Sequence, residues 1–351
     1  MEGNQLERIL ILGAGQAGAS LAARLRAQGH TGPVTLIGAE GIAPYQRPPL
    51  SKGYLLGDMP QERLLLRAQT FWADQNIGLL TGLRATTIDR KTQTVSLSDG
   101  QYLPYDRLAL TTGARPRQLP KAAGGALRGV YSVRSLADID ALRSEARPGR
   151  RALILGGGYI GLEAAAVLRK LDLEVILVEA APRILGRVAS AETADWFRAL
   201  HQKHGVEVHE GIRIDHLVER AGKVAAARLE DGRDIACDLA VIGIGVDPDI
   251  ELAATAGLFI DNGIAVDAVG RSSDPNIFAA GDCASFPWRG RRVRLESVQN
   301  AIEQAEAAAD AMLGKEVTYD PMPWFWSDQY DVKLQIAGLN QGHDHIVTRP
   351  G

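Results

Sequence analysis

The sequence predicts an α/β fold with two Rossmann-like dinucleotide-binding domains. Two glycine-rich turns, residues 13–18 and 156–161, share the pattern Gly-x-Gly-x-x-Gly. An acidic residue follows the last glycine of each turn by roughly 20 residues, Glu40 after the first turn and Glu179 after the second. An acid at this distance binds a ribose hydroxyl in a βαβ unit, while the turn and the helix N-terminus bind the pyrophosphate. One such turn often only joins a strand to a helix, but two turns with matching acids predict two bound dinucleotides.

The first turn follows an apolar strand at residues 8–12 and opens a helix rich in alanine and leucine. Glycine permits the tight bend and lets backbone amides approach phosphate groups, and the helix N-terminus adds a partial positive charge. We therefore expect the first dinucleotide to contact Gly13, Gly15, Ala17, Gly18 and Glu40.

The second turn follows an equally apolar strand, so we expect Gly156, Gly158 and Gly161 to bind the second dinucleotide. Glu179 stands at the end of the next strand. Its carboxylate can accept hydrogen bonds from both ribose hydroxyls of NADH, and it would repel the additional phosphate of NADPH. NADH is therefore the expected cofactor, although the basic side chain of Arg187 follows closely enough in sequence to soften the discrimination.

The order of the segments predicts that the second dinucleotide domain is inserted into the first. The first part ends near residues 111–114, and the chain returns after residues 239–245 with a short strand that ends in Gly281 and Asp282. Short apolar strands that alternate with helices are typical of parallel α/β sheets, which bind ligands at the carboxyl ends of their strands. The predicted domains are a discontinuous one, residues 1–114 and 244–318, a continuous one, residues 115–243, and the start of a small C-terminal α/β domain, residues 319–351.

Composition and charge exclude several other classes. Apolar residues make up 46% of the 351 residues, enough for sizeable cores, and a net charge of −3 argues against a broad nucleic-acid surface. The N-terminal apolar stretch is too short for a membrane span and lacks a signal-peptide pattern, so we expect a cytoplasmic protein. Cys237 and Cys283 form neither a C-x-x-C pair nor part of a metal cluster. We expect two reduced structural thiols and no metal site.

Five segments resemble the putidaredoxin reductase-like family of NADH-dependent ferredoxin reductases, and the resemblance covers essentially the whole chain. These segments are residues 44–52, 156–163, 280–283, 296–301 and 323–329. The resemblance implies FAD in the first site and NAD in the second, so that the NAD domain is inserted in the FAD domain. Such reductases continue past the segment that matches residues 335–339, whereas this chain stops at Gly351. We expect a truncated form, with a natural short variant as the alternative.

The resemblance also assigns residues around the flavin. It implies FAD contacts from Arg47, Lys52, Ala85, Thr112, Gly113, Arg134, Gly281, Asp282, Val298 and Trp326. It places Lys52 beside the reactive flavin nitrogen and pairs it with Glu163, and it makes Tyr159 an aromatic gate over the flavin. Outside the matched motifs these three would read as a surface lysine, an ordinary helix glutamate and a packing tyrosine. Asp282 has a helix N-cap as its alternative.

The acceptor follows from a missing pair of thiols. Disulfide reductases of this class carry two cysteines beside the flavin, but residues 45–52 contain none. A flavin can accept a hydride and release electrons singly, so we expect direct transfer to a one-electron carrier. Four arginines, Arg289, Arg291, Arg292 and Arg294, predict a basic patch that steers an acidic partner, or else a solvated basic hairpin.

These observations together predict an FAD-dependent NADH:ferredoxin oxidoreductase. Its acceptor would be a 2Fe–2S ferredoxin that serves a haem monooxygenase or an aromatic-ring dioxygenase, and the enzyme would be a monomer or a weak homodimer without nucleic-acid or membrane partners. Three alternatives stay open: a rubredoxin reductase, a diaphorase-like NADH dehydrogenase, and a flavoprotein that senses NADH without turnover.

Overall fold

The computed structural model describes residues 6–349 and divides the chain into two compact units. The first unit comprises the described residues up to Gln46, Leu64–Arg115 and Pro248–Phe325. The second unit comprises Arg47–Arg63, Pro116–Asp247 and the described residues from Trp326 onward. The predicted domain boundaries stay a prediction. They differ from the units mainly at residues 47–63, which the sequence assigns to the first domain.

Helices and strands alternate along much of the chain. The helices are α1 (Gln16–Ala27), α2 (Gly53–Leu56), α3 (Phe71–Asp74), α4 (Leu136–Glu145), α5 (Tyr159–Lys170), α6 (Ala191–Lys203), α7 (Glu251–Thr255) and α8 (Val298–Met312). The strands as far as α4 are β1 (Ile9–Leu12), β2 (Val34–Gly38), β3 (Ile77–Thr81), β4 (Ala85–Asp89), β5 (Thr94–Leu97), β6 (Tyr102–Pro104), β7 (Arg107–Leu110), β8 (Ala114–Pro116) and β9 (Val130–Tyr131). The later strands are β10 (Arg151–Leu155), β11 (Glu174–Glu179), β12 (Val206–Glu210), β13 (Ile214–Arg220), β14 (Lys223–Leu229), β15 (Asp234–Ala236), β16 (Leu239–Ile242), β17 (Val246–Pro248), β18 (Ile264–Ala265), β19 (Ile277–Ala279), β20 (Ala284–Trp288), β21 (Arg291–Val293), β22 (Trp324–Gln329) and β23 (Val332–Ala337).

The first unit is built on a five-stranded parallel sheet with the strand order β19-β7-β1-β2-β3. All four residues of β1 are buried, as expected for a central parallel strand covered on both faces. Helices α1 and α8 pack together on the sheet, with Leu21 and Ala305 in the same apolar core as Ile11. Strand β19 pairs with β7 in this sheet, where the order of segments places it.

The second unit repeats this plan with the order β12-β11-β10-β16-β9, again all parallel. An antiparallel sheet, β13-β14-β15, covers one face, and its Leu217 and Ala227 share a core with Leu153 of β10. Helix α5 is buried from Gly161 to Leu168, which is typical of a helix enclosed on all sides. The α/β fold with two Rossmann-like domains is therefore confirmed.

Smaller sheets complete the chain. Strands β4-β5-β6 and β18-β20-β21 form three-stranded sheets, and β8 pairs with β17. Strands β22 and β23 form a two-stranded sheet near the C-terminus, in the region where the sequence predicts a small α/β domain to begin. No helix within residues 6–349 is long and apolar enough to cross a membrane.

Candidate functional site

The first glycine turn connects β1 to α1, and each of its glycines meets a different environment. A Cβ atom on Gly13, which has a φ of +115°, would lie 2.2 Å from the carbonyl oxygen of Thr111. A Cβ on Gly18 would lie 2.1 Å from the carbonyl oxygen of Gly13, whereas a Cβ on Gly15 would have no atom within 4 Å. The first and third glycines are therefore required by the packing of the chain itself. The second leaves open space where a pyrophosphate can approach the backbone.

The second turn, between β10 and α5, divides these tasks in the same way. A Cβ on Gly156 would lie 2.4 Å from the carbonyl oxygen of Gly243, and a Cβ on Gly161 would lie 2.0 Å from that of Gly156. Gly158 has no neighbouring atom within 4 Å of its Cβ position. Neither α1 nor α5 has a side-chain cap or an acidic residue in its first turn, so each N-terminus suits a bound anion. Both turns thus fit the phosphates of a dinucleotide.

The two acids have different hydrogen-bond partners. The Tyr45 hydroxyl donates to Oε2 of Glu40 at 2.6 Å. Glu179 accepts from backbone instead: its Oε2 from the amide of Gly157 and its Oε1 from the amide of Ala181, each at 2.6 Å. Glu179 therefore holds its own glycine turn in place, while Glu40 is held by a side chain.

Lys52 and Glu163 form an ion pair in the second unit, as the resemblance implies. Lys52 follows a short 3-10 turn, Pro48–Ser51, and its Nζ lies 2.7 Å from Oε2 of Glu163 and 3.2 Å from the carbonyl oxygen of Pro48. The Ser51 hydroxyl donates to the same carboxylate oxygen. The Glu163 side chain is 3% exposed and that of Lys52 is 20% exposed. A carboxylate buried this deeply requires a paired cation and hydrogen-bond donors, and it has both.

Tyr159 is the first residue of α5 and is half-buried. Burial raises the pKa of its hydroxyl to about 12, so the phenol stays protonated at neutral pH. It follows directly after Gly158, the glycine with open space at its Cβ position. The gate role stays a prediction.

Other residues assigned by the resemblance lie at strand ends or in the segments that connect them. Arg47 donates to the carbonyl oxygen of Arg134, so these two lie together in the second unit. The Thr112 hydroxyl donates to the carbonyl oxygen of Asp249 at 2.6 Å, and the carbonyl of Gly113 accepts from the amide of the same residue. Ala85 begins β4, Trp326 lies half-buried in β22, and Arg187 is exposed beyond β11.

Gly281 and Asp282 form the turn between β19 and β20. The N-cap alternative for Asp282 is wrong because a strand follows it, and the cap of α8 is Ser297 instead. The amide of Gly281 donates to Oε1 of Gln304 at 2.8 Å, and the buried Nε2 of that side chain has no hydrogen-bond partner in the described chain. Val298 begins α8. A buried donor joined to this turn is consistent with a polar ligand there.

The four arginines divide into two pairs on the β20–β21 hairpin. Arg289 and Arg291 lie over the ring of Trp288, with guanidinium carbons 4.6 and 5.6 Å from its centroid. Arg292 donates to the carbonyl oxygens of Val266 and Ser285, and Arg294 pairs with Glu296. Arg289, Arg291 and Arg292 are exposed and Arg294 is half-buried, so three of the four arginines lie on the surface of this hairpin, and the basic patch stays a prediction.

The two cysteines are free and buried. Burial raises the pKa of Cys237 to about 12 and also raises the pKa of Cys283, so both thiols are protonated and unreactive at neutral pH. Within residues 6–349 no group of three or more His, Cys, Asp or Glu side chains could hold a metal ion.

Comparison with known proteins decides the family. The model of the pyridine nucleotide-disulphide oxidoreductases matches residues 7–305, and a model of the reductase C-terminal region matches residues 324–351. This chain belongs to the pyridine nucleotide-disulphide oxidoreductase family. It is 42% identical to putidaredoxin reductase of Pseudomonas putida over 99% of this chain and 83% of that protein. It is 44% identical to rhodocoxin reductase of Rhodococcus erythropolis over 97% of this chain and 80% of that protein.

Solved structures of such reductases have the same fold. The reductase in the covalent putidaredoxin reductase–putidaredoxin complex matches with a TM-score of 0.95 at 42% identity, covering 98% of this chain and 84% of that chain. The ferredoxin reductase for the CYP199A2 system of Rhodopseudomonas palustris matches with a TM-score of 0.94 at 42% identity, over 98% and 85% of the two chains. The resemblance inferred from the sequence motifs is confirmed.

Sequence reasoning missed several polar residues of this oxidoreductase. Ser51 lies within a recognised motif, as do Ser327 and Gln329, but none of them received a role. For Ser327 and Gln329 the sequence offered a signal: residues two apart in a strand point to the same face, so these two polar side chains lie on one face of β22. His201, which contacts Gln329 from α6, lies far away in sequence and carried no such signal.

Proposed function

We propose that this chain is an FAD-dependent NADH:ferredoxin oxidoreductase, with a 2Fe–2S ferredoxin of a haem monooxygenase or aromatic-ring dioxygenase system as its acceptor. The observation that carries the proposal is the combination of two dinucleotide turns with Lys52 paired to the buried Glu163, while both cysteines are buried and protonated. The relatives named putidaredoxin reductase and rhodocoxin reductase support the same reaction class.

The FAD site draws on residues of this chain with separate tasks. Gly13, Gly15 and Gly18 would hold the pyrophosphate at the start of α1, and Glu40 would bind the adenosine ribose. The remaining contacts would come from the predicted set of Arg47, Ala85, Thr112, Gly113, Arg134, Gly281, Asp282, Val298 and Trp326. When bound, FAD supplies an acceptor for a hydride and a donor of single electrons.

Lys52 would provide the positive charge next to the flavin ring. Its ammonium is fixed between the carboxylate of Glu163 and the carbonyl of Pro48, so it needs little rearrangement to meet negative charge that develops beside it. Charges held in position in a partly dry site stabilise such a development strongly. Glu163 orients the ammonium, and Tyr159 would exclude water until the nicotinamide enters.

The nucleotide preference would follow from Glu179. Its carboxylate is held at the end of β11 by the amides of Gly157 and Ala181, which leaves it aimed at the edge where parallel sheets bind ligands. There it would accept from ribose hydroxyls and repel a 2′-phosphate, so NADH is the proposed hydride donor. Arg187 is exposed beyond the same strand, and its positive charge would weaken the discrimination against the 2′-phosphate of NADPH.

The acceptor would dock at a basic surface. Arg289, Arg291 and Arg292 are exposed on the β20–β21 hairpin, and with the half-buried Arg294 they would steer an acidic ferredoxin. We also propose a cytoplasmic location and a monomer or weak homodimer as the working form.

Reconstitution with FAD, followed by anaerobic mixing with NADH, tests the first half-reaction. Rapid bleaching of the flavin band is expected with NADH, and slower bleaching with NADPH. Cytochrome c reduction measured with and without added 2Fe–2S ferredoxin tests the second half. Turnover that requires ferredoxin supports the proposal. Equal turnover with rubredoxin, or without any carrier, would assign a different acceptor. Slow reoxidation with every carrier would instead indicate an NADH-sensing flavoprotein.

A further inference from the structure

A continuous run of hydrogen-bonded polar side chains, most of them buried, extends from Glu163 on α5 to His201 in the last turn of α6 and on to Tyr330. The Ser327 hydroxyl lies 2.8 Å from Oε1 of Glu163, and Nε2 of Gln329 lies 3.0 Å from the Ser327 hydroxyl. Nε2 of His201 lies 2.8 Å from Oε1 of Gln329, and the Tyr330 hydroxyl lies 3.2 Å from Nδ1 of His201. Ser327, Gln329 and His201 are completely buried and Glu163 is 2% exposed. We call these five residues the buried polar chain.

The chemistry of its members gives the buried polar chain one direction. A carboxylate accepts hydrogen bonds only, so Ser327 must donate its single proton to Glu163. The Ser327 oxygen must then accept from the amide nitrogen of Gln329, which leaves the amide oxygen facing His201. That oxygen can only accept, so His201 carries a proton on Nε2. The neutral ring then offers Nδ1 as the acceptor for the hydroxyl of Tyr330.

The burial of its ring keeps His201 in this neutral form. Burial lowers the pKa of His201 to about 4, so the ring has one proton at neutral pH and its tautomer is set by its neighbours. Tyr330 also stacks on His204, with ring centroids 3.7 Å apart and an interplanar angle of 9°, which fixes its own position. Each member is therefore oriented by the next.

The side-chain amide of Gln329 determines whether the buried polar chain can conduct protons. A proton cannot pass through Gln329 by simple exchange, because the amide nitrogen would have to lose a proton while its oxygen gained one. The chain is therefore suited to holding groups in place. It occupies Oε1 of Glu163, while Ser51 and Lys52 occupy Oε2, so both carboxylate oxygens have fixed partners.

We propose that Ser327 and Gln329 are positioning residues: with His201 and Tyr330 they fix the carboxylate of Glu163 and, through it, the ammonium of Lys52. The consequence for flavin reduction rests on the proposed function, whereas the coupling between Ser327 and His201 does not. The effect on flavin reduction is measured on the bound flavin, and the coupling between Ser327 and His201 is measured on the protein without flavin.

The test compares the same substitution at two buried serines. Ser327→Ala removes a donor to a charged group, while Ser285→Ala, at a position equally buried, removes a donor to the backbone carbonyl of Asp261. Loss of a hydrogen bond to a charge typically changes an equilibrium or rate about tenfold. We therefore expect flavin reduction by NADH to slow about tenfold more in Ser327→Ala than in Ser285→Ala. The flavin potential, titrated with a chemical reductant, should become more negative only in Ser327→Ala, and Ser327→Thr should restore both values.

Nitrogen-15 spectra of labelled histidine rings provide the readout that needs no flavin, with His201→Gln assigning the signal. The parent should show His201 as a neutral ring protonated on Nε2 across about pH 5.5–8, where exposed histidines titrate. Ser327→Ala should shift this signal although Ser327 does not touch His201, and Ser285→Ala should not. An unshifted His201 signal, or equal flavin potentials in the two alanine variants, would overturn the proposal. A parent whose flavin is not reduced by NADH would refute the proposed function, while the nitrogen-15 comparison would still decide on the buried polar chain.

Discussion

The two glycine turns have the same backbone requirements but use their acids differently. In both turns a Cβ atom on the first or third glycine would lie only 2.0–2.4 Å from a carbonyl oxygen, whereas a Cβ on the second would have no atom within 4 Å. Glu179, however, accepts from two backbone amides, including that of Gly157 within its own turn, whereas Glu40 accepts from the side chain of Tyr45. The same motif therefore provides an acid that is part of the turn in one unit and an acid that stands beside it in the other. Substitutions of the two acids should reveal this difference.

The largest effect is expected from the glycines, which should behave alike in both turns. Gly161→Ala forces a methyl group against the carbonyl of Gly156 and should lower the free energy of unfolding by about 3 kcal/mol. Gly158→Ala should cost less than about 1 kcal/mol in stability but weaken NADH binding, because its methyl group enters the open space. Urea unfolding and NADH titration separate the two effects.

Gly18→Ala and Gly15→Ala provide the matched pair in the first turn, with FAD in place of NADH. The equivalence of the turns would be broken if Gly15→Ala proved as destabilising as Gly18→Ala.

The next effect concerns Glu179 and sharpens the difference between the acids. Glu179→Ala leaves the amides of Gly157 and Ala181 without their acceptor and should lower the free energy of unfolding by about 2 kcal/mol. The same change should narrow the proposed preference for NADH, because the carboxylate would accept hydrogen bonds from ribose hydroxyls and repel a 2′-phosphate. Unfolding curves and the ratio of kcat/KM for the two nucleotides measure these losses. An unchanged ratio would mean that another residue reads the ribose.

A smaller effect is expected at Glu40. Glu40→Gln keeps an acceptor for Tyr45 and should change stability little, while Tyr45→Phe removes one hydrogen bond and should cost about 1 kcal/mol. The ribose contact proposed for Glu40 needs the charge of its carboxylate, which Glu40→Gln removes and Tyr45→Phe keeps. FAD affinity by fluorescence titration is therefore expected to drop in Glu40→Gln far more than in Tyr45→Phe. Equal losses of affinity in both variants would show that the tyrosine orients the acid for binding.

The smallest effect is expected from the buried thiols, one in each unit. Replacing Cys237 and Cys283 with serine together should leave NADH-driven ferredoxin reduction largely intact, because both thiols are protonated and buried. The activity per bound FAD is the quantity to compare with the parent. Loss of turnover with FAD still bound would argue against direct electron transfer to the acceptor.

Much of this protein was accessible from its sequence because the decisive signals are local. A glycine turn between a strand and a helix, with an acid about 20 residues later, lies within one short segment of the chain. It can be recognised without knowledge of contacts between distant residues. The pairing of Lys52 with Glu163 was also anticipated, but only through resemblance, since no local pattern links these positions. The return of β19 to the first sheet, by contrast, was predicted from the order of segments alone.

Tertiary structure alone decided which partner each polar group finds. Glu179 and Glu40 occupy equivalent places in their motifs, yet the fold gives one of them backbone amides and the other a tyrosine hydroxyl. His201 forms a hydrogen bond with Gln329 only because the fold places α6 beside β22. Arg292 donates to the carbonyl oxygen of Val266, and the sequence around Arg292 does not predict this contact. Hydrogen bonds between residues distant in sequence depend on the packing of whole elements, and buried polar groups must be satisfied by whatever that packing brings within reach.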